Sequence, residues 1–444
     1  MLLKSYRSFR STGFHLLSCG QDESLVINGS IAYKDAFAAR YGGTLTPKFD
    51  TQEELYDILD KQLSDAYTAI SNADQSIQVN PGAKDLFFGG DITKWKKISN
   101  SLRLKMATRL LKRNPTKLKT IATEVLSREQ ISSSADDFSL IAKRFTEHGN
   151  FNPNGLSATK PIVDYMVANK DPRLAIFFKK NLYSQNNIDK LVAGGKMSTT
   201  TAGQRYVGGP TSPDMVSATK SRYYTSARRQ LDGRTYDTIS KIQYRLWRPE
   251  SAEISDDGVA GNVGTGNATF PVLTFADYSL LKAELVVRGI IAGNAQTFYE
   301  DGIKASIETY GKMAKEAIVE GYTEPTAQQV SDYINSAQVK YNAGNALEQI
   351  LTQQYLNYFK QPNEAWALIK RTGFPNNSTT LKLENLTRDG GIAIVMPRRI
   401  ILNTPSRDNL NYENQKAALD QMKQDPDFGT AENDIHGRIW WDKK

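Results

Sequence analysis

The sequence predicts a mainly α fold in which helix pairs form a scaffold around a long, loop-rich, irregular region. Two observations carry this. Across 46–131 and 275–375, apolar residues recur at steps of three and four, the spacing that lines up one face of a helix. Between those blocks, from Ser132 to Phe270, the periodicity largely stops and Gly, Ser, Thr, Asn and Tyr dominate, which is the composition of turns and functional loops.

The first block opens at Thr46-Pro47-Lys48-Phe49-Asp50, with Asp50 and Glu53 as the expected capping pair of a helix. Leu55, Ile58, Leu59, Leu63, Ala66 and Ile70 form its apolar stripe. A basic helix follows from about Thr93 to Arg113, ended by Asn114-Pro115, and Leu118, Ile121, Ala122 and Val125 mark the next one. Lys94 to Lys119 carries ten Lys or Arg and no acid. Because Trp95, Ile98, Leu102, Met106 and Leu110 interleave with these cations at helical spacing, we expect a helix with a basic solvated side rather than a nucleic-acid surface.

In the middle region, helical periodicity is confined to Thr159–Asn169 and Arg173–Lys180. The region is rich in aromatic rings set among Asn, Gln and Arg, the pairing that suits a sugar or a peptide: rings cover apolar faces and polar groups read hydroxyls or amides. Phe145, Phe151, Tyr206, Tyr223, Tyr224 and Trp247 are the candidate ligand-binding residues. The bland alternative is that these rings pack loops onto the helices. Gly258 to Gly266 lacks the Lys-Ser/Thr pair of a phosphate loop and reads as a surface loop.

Order returns at Phe275. Leu280, Leu281 and Leu285 precede Gly289, and Gly293-Asn294 reads as a turn before a helix carrying Tyr299, Ile303, Ile307 and Tyr310. Helix, short turn, helix of this length is the unit of tetratricopeptide-like packing, although no clean 34-residue signature repeats. Leu347, Ile350, Leu351, Tyr355 and Tyr358 line a further helix. Beyond Pro362, Asn363 is the expected cap of a short helix closed by Lys370, Arg371 and Gly373. Ile392 to Met396 reads as strand-like, Met396 to Arg399 as an exposed turn, and Tyr412 to Met422 as a short helix.

Composition restricts the chemistry. Three histidines, His15, His148 and His436, lie far apart, and one cysteine, Cys19, is present. We therefore expect no metal site, no disulfide, no cofactor and no histidine-based catalytic residues. A glycan-cleaving enzyme would need two carboxylates roughly 5–10 Å apart; Asp232 and Asp237 are examples of available acids. No apolar run approaches the ~20 residues that span a bilayer. Leu16-Leu17-Ser18-Cys19, after a leader with Lys4, Arg7 and Arg10, resembles a bacterial lipoprotein cleavage box, with Cys19 as the candidate lipid anchor. Its apolar stretch is short and interrupted by His15, so a chance match stays open.

Seven segments taken together resemble the SusD/RagB family of outer-membrane nutrient-binding lipoproteins, in its second, SusD-like branch. They are LTPKFDTQEELYDILDKQL (45–63), DLFFGGDITKWKKISNSLRLKMATRL (85–110), VDYMVANKDPRL (163–174), FADYSLLKAELVVRG (275–289), NEAWALIKRTGFP (363–375), MPRRIILNTPS (396–406) and GRIWWDK (437–443). The resemblance implies tetratricopeptide-like helix pairs with a loop-rich ligand-binding remainder. It also implies a binding protein and not an enzyme, held at the cell outer membrane by a lipid anchor only. Its expected partners are an oligosaccharide or peptide nutrient and a SusC-like TonB-dependent outer-membrane transporter. The expected organisation is a leader over 1–30 and a single SusD-like unit over 31–444. Within that unit stand the scaffold (46–131 and 275–375), the insertion (132–270) and an irregular C-terminal segment (376–444). Only 45 residues stand before Thr46, fewer than the family pattern implies, so loss of a first helix pair is expected. A helical-repeat interaction scaffold with no small ligand is the alternative function.

Overall fold

The computed structural model describes residues 30–77, 79–142, 157–181, 185–216, 228–231, 234–237, 239–248, 266–319, 321–402, 405–429 and 431–444. Candidate residues Cys19, Phe145, Phe151, Tyr223 and Tyr224 lie outside them, as do the 258–265 loop and Asp232.

The described chain begins with β1 (Ser30–Ile31), antiparallel to β2 (Asp50–Thr51). Helix α1 (Gln52–Asn72) follows with a capping box made by Thr51 and Glu54, one residue later than the Asp50–Glu53 pair expected. The reason is that Asp50 is already engaged. Its carboxylate accepts the Tyr33 and Lys34 N–H groups at 2.9 Å and pairs with the Lys34 amine. Asp91 caps α2 (Ile92–Ala107), and Asn114 caps α3 (Pro115–Leu126), whose proline fills the first helical position.

The middle region enters on β3 (Phe138–Ala142). It then holds α4 (Lys160–Ala168), α5 (Leu174–Phe177), α6 (Gln185–Ala193), α7 (Thr199–Ala202), α8 (Pro213–Val216) and a hairpin of β4 (Arg228–Leu231) with β5 (Arg234–Asp237). It leaves on β6 (Ala268–Leu273), which returns antiparallel to β3 with Phe138 opposite Leu273 and Ala142 opposite Ala268. The entry and exit strands thus close a ladder of their own, and the insertion leaves and rejoins the scaffold at one place. Two expectations fail here. Helix α6 was not expected, and the helix expected over Arg173–Lys180 is the single turn α5, because Phe178 and Lys179 turn away to pair with Ile242 and Lys241.

The second helical block is α9 (Phe275–Val287), α10 (Ala295–Glu316), α11 (Ala327–Ile334), α12 (Ala346–Asn357) and α13 (Pro362–Thr372). Gly302 lets α10 approach α9: a Cβ there would stand 2.6 Å from the Leu280 Cγ. Helix α13 begins with Pro362 at its first position after Gln361, so Asn363 lies inside the first turn and is not the cap. Gly373 ends it in the left-handed region at φ 78°. The strand expected over Ile392 to Met396 shrinks to β8 (Ile392–Ala393), paired with β7 (Thr387–Arg388). Helix α14 (Tyr412–Met422) stands where the sequence placed it.

Among the described residues two large apolar cores result, with smaller clusters beside them. One joins α1, α2 and α3 to Phe138, Leu273, Tyr278 and the C-terminal Ile439 and Trp441. The other joins α4 and α5 to α9, α10, α11 and α12.

The basic segment departs most from expectation. Lys112 and Lys119 are exposed, but the other cations do not form a solvated face. Arg103, 2% exposed, donates to Asp60 and Glu124; Lys97 donates to Asp136; Arg109 donates to Glu364. Lys105 is buried too, with its amine at the Val272 carbonyl and the Gln361 amide oxygen. Arg399, expected on an exposed turn, is 1% exposed and donates to the Glu432 and Ala431 carbonyls. Burial without partners would be costly, so these positive charges are matched by carboxylates and carbonyls from distant parts of the chain.

Candidate functional site

The two described candidate rings, Tyr206 and Trp247, sit on backbone that the scaffold holds in place. The Ser240 N–H donates to the Val207 carbonyl at 2.8 Å, and the Asn181 N–H donates to the Arg205 carbonyl at 2.8 Å, fixing the stretch around Tyr206. The Gln243 N–H donates to the Phe177 carbonyl at 2.8 Å, and the Arg245 guanidinium donates to the Ile318 carbonyl at 2.6 Å. A 3-10 turn over Tyr244–Leu246 then delivers Trp247. Both rings are half-buried against the second core. The packing alternative therefore holds for part of each ring, and a ligand could meet only the remainder.

Trp247 belongs to an aromatic stack that the sequence did not disclose. Phe359, in the 3-10 turn that follows α12, lies parallel to Phe177 with ring centres 4.0 Å apart and planes inclined by 4°. Trp247 meets Phe359 edge-on at 5.4 Å, and Phe178 meets it edge-on at 5.5 Å. Beside this stack the Lys360 amine stands 5.1 Å from the Trp247 ring centre and 4.6 Å from that of half-buried Phe270. It donates to the Leu246 carbonyl. Burial pushes this amine down to about 7, against the pull of Glu316. A rigid indole beside a phenyl ring, with an amine between them, can stack on the apolar face of a pyranose while polar groups meet its hydroxyls. Phe270 and Lys360 are distant in sequence from Trp247, and no spacing rule could have joined the three.

Two carboxyls with raised pKa values, half-buried Asp137 and buried Asp277, have the electrostatics of an acid–base pair. Burial pushes Asp137 up to about 7 and Asp277 in the same direction. Their hydrogen bonds show them to be structural. Asp137 accepts the Phe275 N–H and the Thr309 hydroxyl, while Asp277, fully buried, closes the α9 capping box and accepts the Asn357 amide. Among the described residues no group of three or more His, Cys, Asp or Glu could hold a metal ion. No described helix is long and apolar enough to cross a membrane.

Clefts occur elsewhere. One of about 500 Å³ lies between α10 and α11, with Tyr322, Val330 and Ile334 beneath a rim of Glu300, Glu308 and Glu324. Another, of about 380 Å³, runs along α14 past Phe49, Leu402 and Pro405. Neither includes Tyr206 or Trp247.

The family model SusD-like_2, described as starch-binding and associating with the outer membrane, matches residues 24–400. Among solved structures, a SusD homologue from Bacteroides fragilis is similar at 20% identity and a TM-score of 0.71, the match covering 99% of this chain and 84% of that one. A chitin-binding SusD homologue from Flavobacterium johnsoniae matches at 20% identity and a TM-score of 0.64, over 99% of this chain and 81% of that one. Another structure, described as a chitin-binding protein, has 24% identity and a TM-score of 0.62, with 97% and 79% covered. A search of the curated proteins finds no match.

Proposed function

The chain belongs to the SusD-like family of starch-binding, outer-membrane-associated proteins, which bind and do not catalyse, and on that premise we propose that it captures an oligosaccharide at the outer-membrane surface for uptake through a SusC-like TonB-dependent transporter. The observation that carries the site is the partly exposed Trp247 ring, braced by Phe359 and set beside Phe270 and Lys360. Bracing matters because an aromatic fixed before binding loses little side-chain freedom when a sugar stacks on it. Tyr206 and the other candidate rings, Phe145, Phe151, Tyr223 and Tyr224, extend this proposal over the insertion. Two relatives of the same fold described as chitin-binding support a sugar over a peptide as the ligand class. Attachment at Cys19 through acylation completes the proposal.

The test is calorimetric titration of the full chain with malto-oligosaccharides, chito-oligosaccharides and a mixed peptide pool, with reducing ends assayed in parallel. Sugar binding without release of new reducing ends is the expected result. Binding of peptides alone moves the ligand class, and turnover of any glycan contradicts the reading. Mass spectrometry of the native N-terminus tests Cys19.

A further inference from the structure

Several interior cations of this protein have carboxylate partners: Arg103 meets Asp60 and Glu124, Arg173 meets Asp171, and Arg371 meets Glu284. The seam where the C-terminal residues close over the corner between α2 and α3 is different. There Arg398 donates from Nε to the Asp442 carboxylate at 2.8 Å, and Arg438 donates to the same carboxylate at 3.2 Å. The Lys112 amine and the Arg438 guanidinium both donate to the Lys443 carbonyl, at 3.0 and 3.4 Å. Two guanidinium groups therefore share one carboxylate, with the Lys112 ammonium beside them on the next residue's carbonyl.

The imbalance extends inward. Arg288, whose Nε is 2.8 Å from Glu284, shares that carboxylate with Arg371. Burial and then the charges of Arg438, Arg398 and Arg288 push the Lys112 amine down, with only Asp442 acting the other way. Hydrogen-bond donors are also left over. Among the described residues, Nε and Nη2 of Arg438 and Nη1 of Arg398 meet no acceptor, and the Lys112 ammonium uses one of its three protons. The side chains of Arg398 and Arg438 are 17% and 20% exposed, so their guanidinium groups are held in place yet reachable from water.

We propose that Lys112, Arg398 and Arg438, gathered over Asp442, form a binding site for a tetrahedral oxyanion of the phosphate or sulfate class. A guanidinium presents a planar fork of donors matched to two oxygens of such an anion, and an ammonium serves as a point charge for a third. The oxyanion can belong to a lipid headgroup or to a soluble phosphate or sulfate, and both offer the site the same chemistry. This site is separate from the sugar-binding proposal at Trp247 and stands or falls without it.

The test titrates the full chain with inorganic phosphate and with sulfate at constant ionic strength set by chloride. In parallel, the protein is sedimented with phosphatidylglycerol and with phosphatidylcholine vesicles. Lys112→Gln and Arg438→Gln each weaken oxyanion binding by about tenfold, the loss of one charge-assisted contact, Lys112→Gln at unchanged melting temperature. Binding of the free anions with equal, weak sedimentation on both vesicles assigns a soluble source. Selective sedimentation with phosphatidylglycerol, lost in both variants, assigns a lipid source. Should Arg438→Gln not fold, Lys112→Gln decides alone, since its only hydrogen bond is to a surface carbonyl. Absence of phosphate, sulfate and vesicle binding in the unaltered protein, or variants that bind as well as it does, overturns the proposal.

Discussion

The Arg371 guanidinium grips the Glu284 carboxylate through both of its terminal nitrogens, with Nη2 2.8 Å from Oε2 and both side chains buried. This joins the last turn of α13 to the last turn of α9, 87 residues apart. Gln354 on α12 donates to the same carboxylate at 3.0 Å and Arg288 at 2.8 Å, so one carboxyl ties three helices together. Removing one partner strands a buried charge. Glu284→Gln or Arg371→Met should each destabilise the fold by about 3–5 kcal/mol, and the double variant by less than the sum. Urea unfolding of the four proteins measures this; additive losses would mean that the pair is not coupled.

Stability should depend on pH in two windows of opposite origin. Burial pushes the Glu284 carboxyl up, but Arg371 and Arg288 outweigh it and hold it at about 2, below its unfolded value of 4.5. Stability from this group is complete above 4.5 and lost as pH falls towards 2. Lys360 and Lys370 are pushed by burial to about 7 from 10.5. Above 7 the unfolded chain holds protons on both lysines that the folded chain has released, so stability rises with pH. Each lysine contributes a slope of about 1.4 kcal/mol per pH unit. The rise ends near 10, where unfolded tyrosines ionise more readily than buried Tyr310. Urea unfolding at pH 7 and pH 9 tests this, and Lys360→Met should remove about half of the difference. A flat profile between those pH values would contradict the burial of both amines.

The close approach of α9 and α10 rests on Gly302. A Cβ there meets the Leu280 side chain at 2.6 and 2.8 Å, and the Leu280 backbone nitrogen at 3.3 Å. Gly302→Val should cost about 1–3 kcal/mol from overpacking. Gly289, whose φ is +68° with open space around the site of a Cβ, should tolerate alanine sterically and lose stability only through backbone strain. Thermal unfolding of the two variants separates the mechanisms: shortening Leu280 to alanine should recover part of the Gly302→Val loss and none of that from Gly289→Ala.

Local features were legible because their causes are local. The stripe from Leu118 to Val125, the Gly293-Asn294 turn, the Gly373 stop and the limits of α14 all follow from spacing and cap chemistry within a few residues. The basic helix was misjudged because the partners of Arg103, Lys105 and Arg109 arrive from 21 to 256 residues away, and composition carries no trace of them. The candidate site follows the same division. Aromatic content pointed to Trp247, but its bracing by Phe359 and its neighbours Phe270 and Lys360 exist only once β6 and α12 have packed. Tyr206 was found on the same core, pinned by backbone bonds that no side-chain pattern encodes. Arg371 drew notice as part of a marker segment, and its role in holding the helices follows from Glu284.

The most direct test of the central claim compares the unaltered protein with Trp247→Ala in calorimetric titrations with one oligosaccharide that the unaltered protein binds. Unfolding curves accompany the titrations so that loss of the Phe359 contact is separated from loss of the ligand contact. A braced stacking ring at the centre of the site predicts that affinity falls at least about tenfold, ~1.4 kcal/mol or more, while the variant stays folded. Undiminished binding by a folded Trp247→Ala protein would contradict the placement of the sugar on this ring.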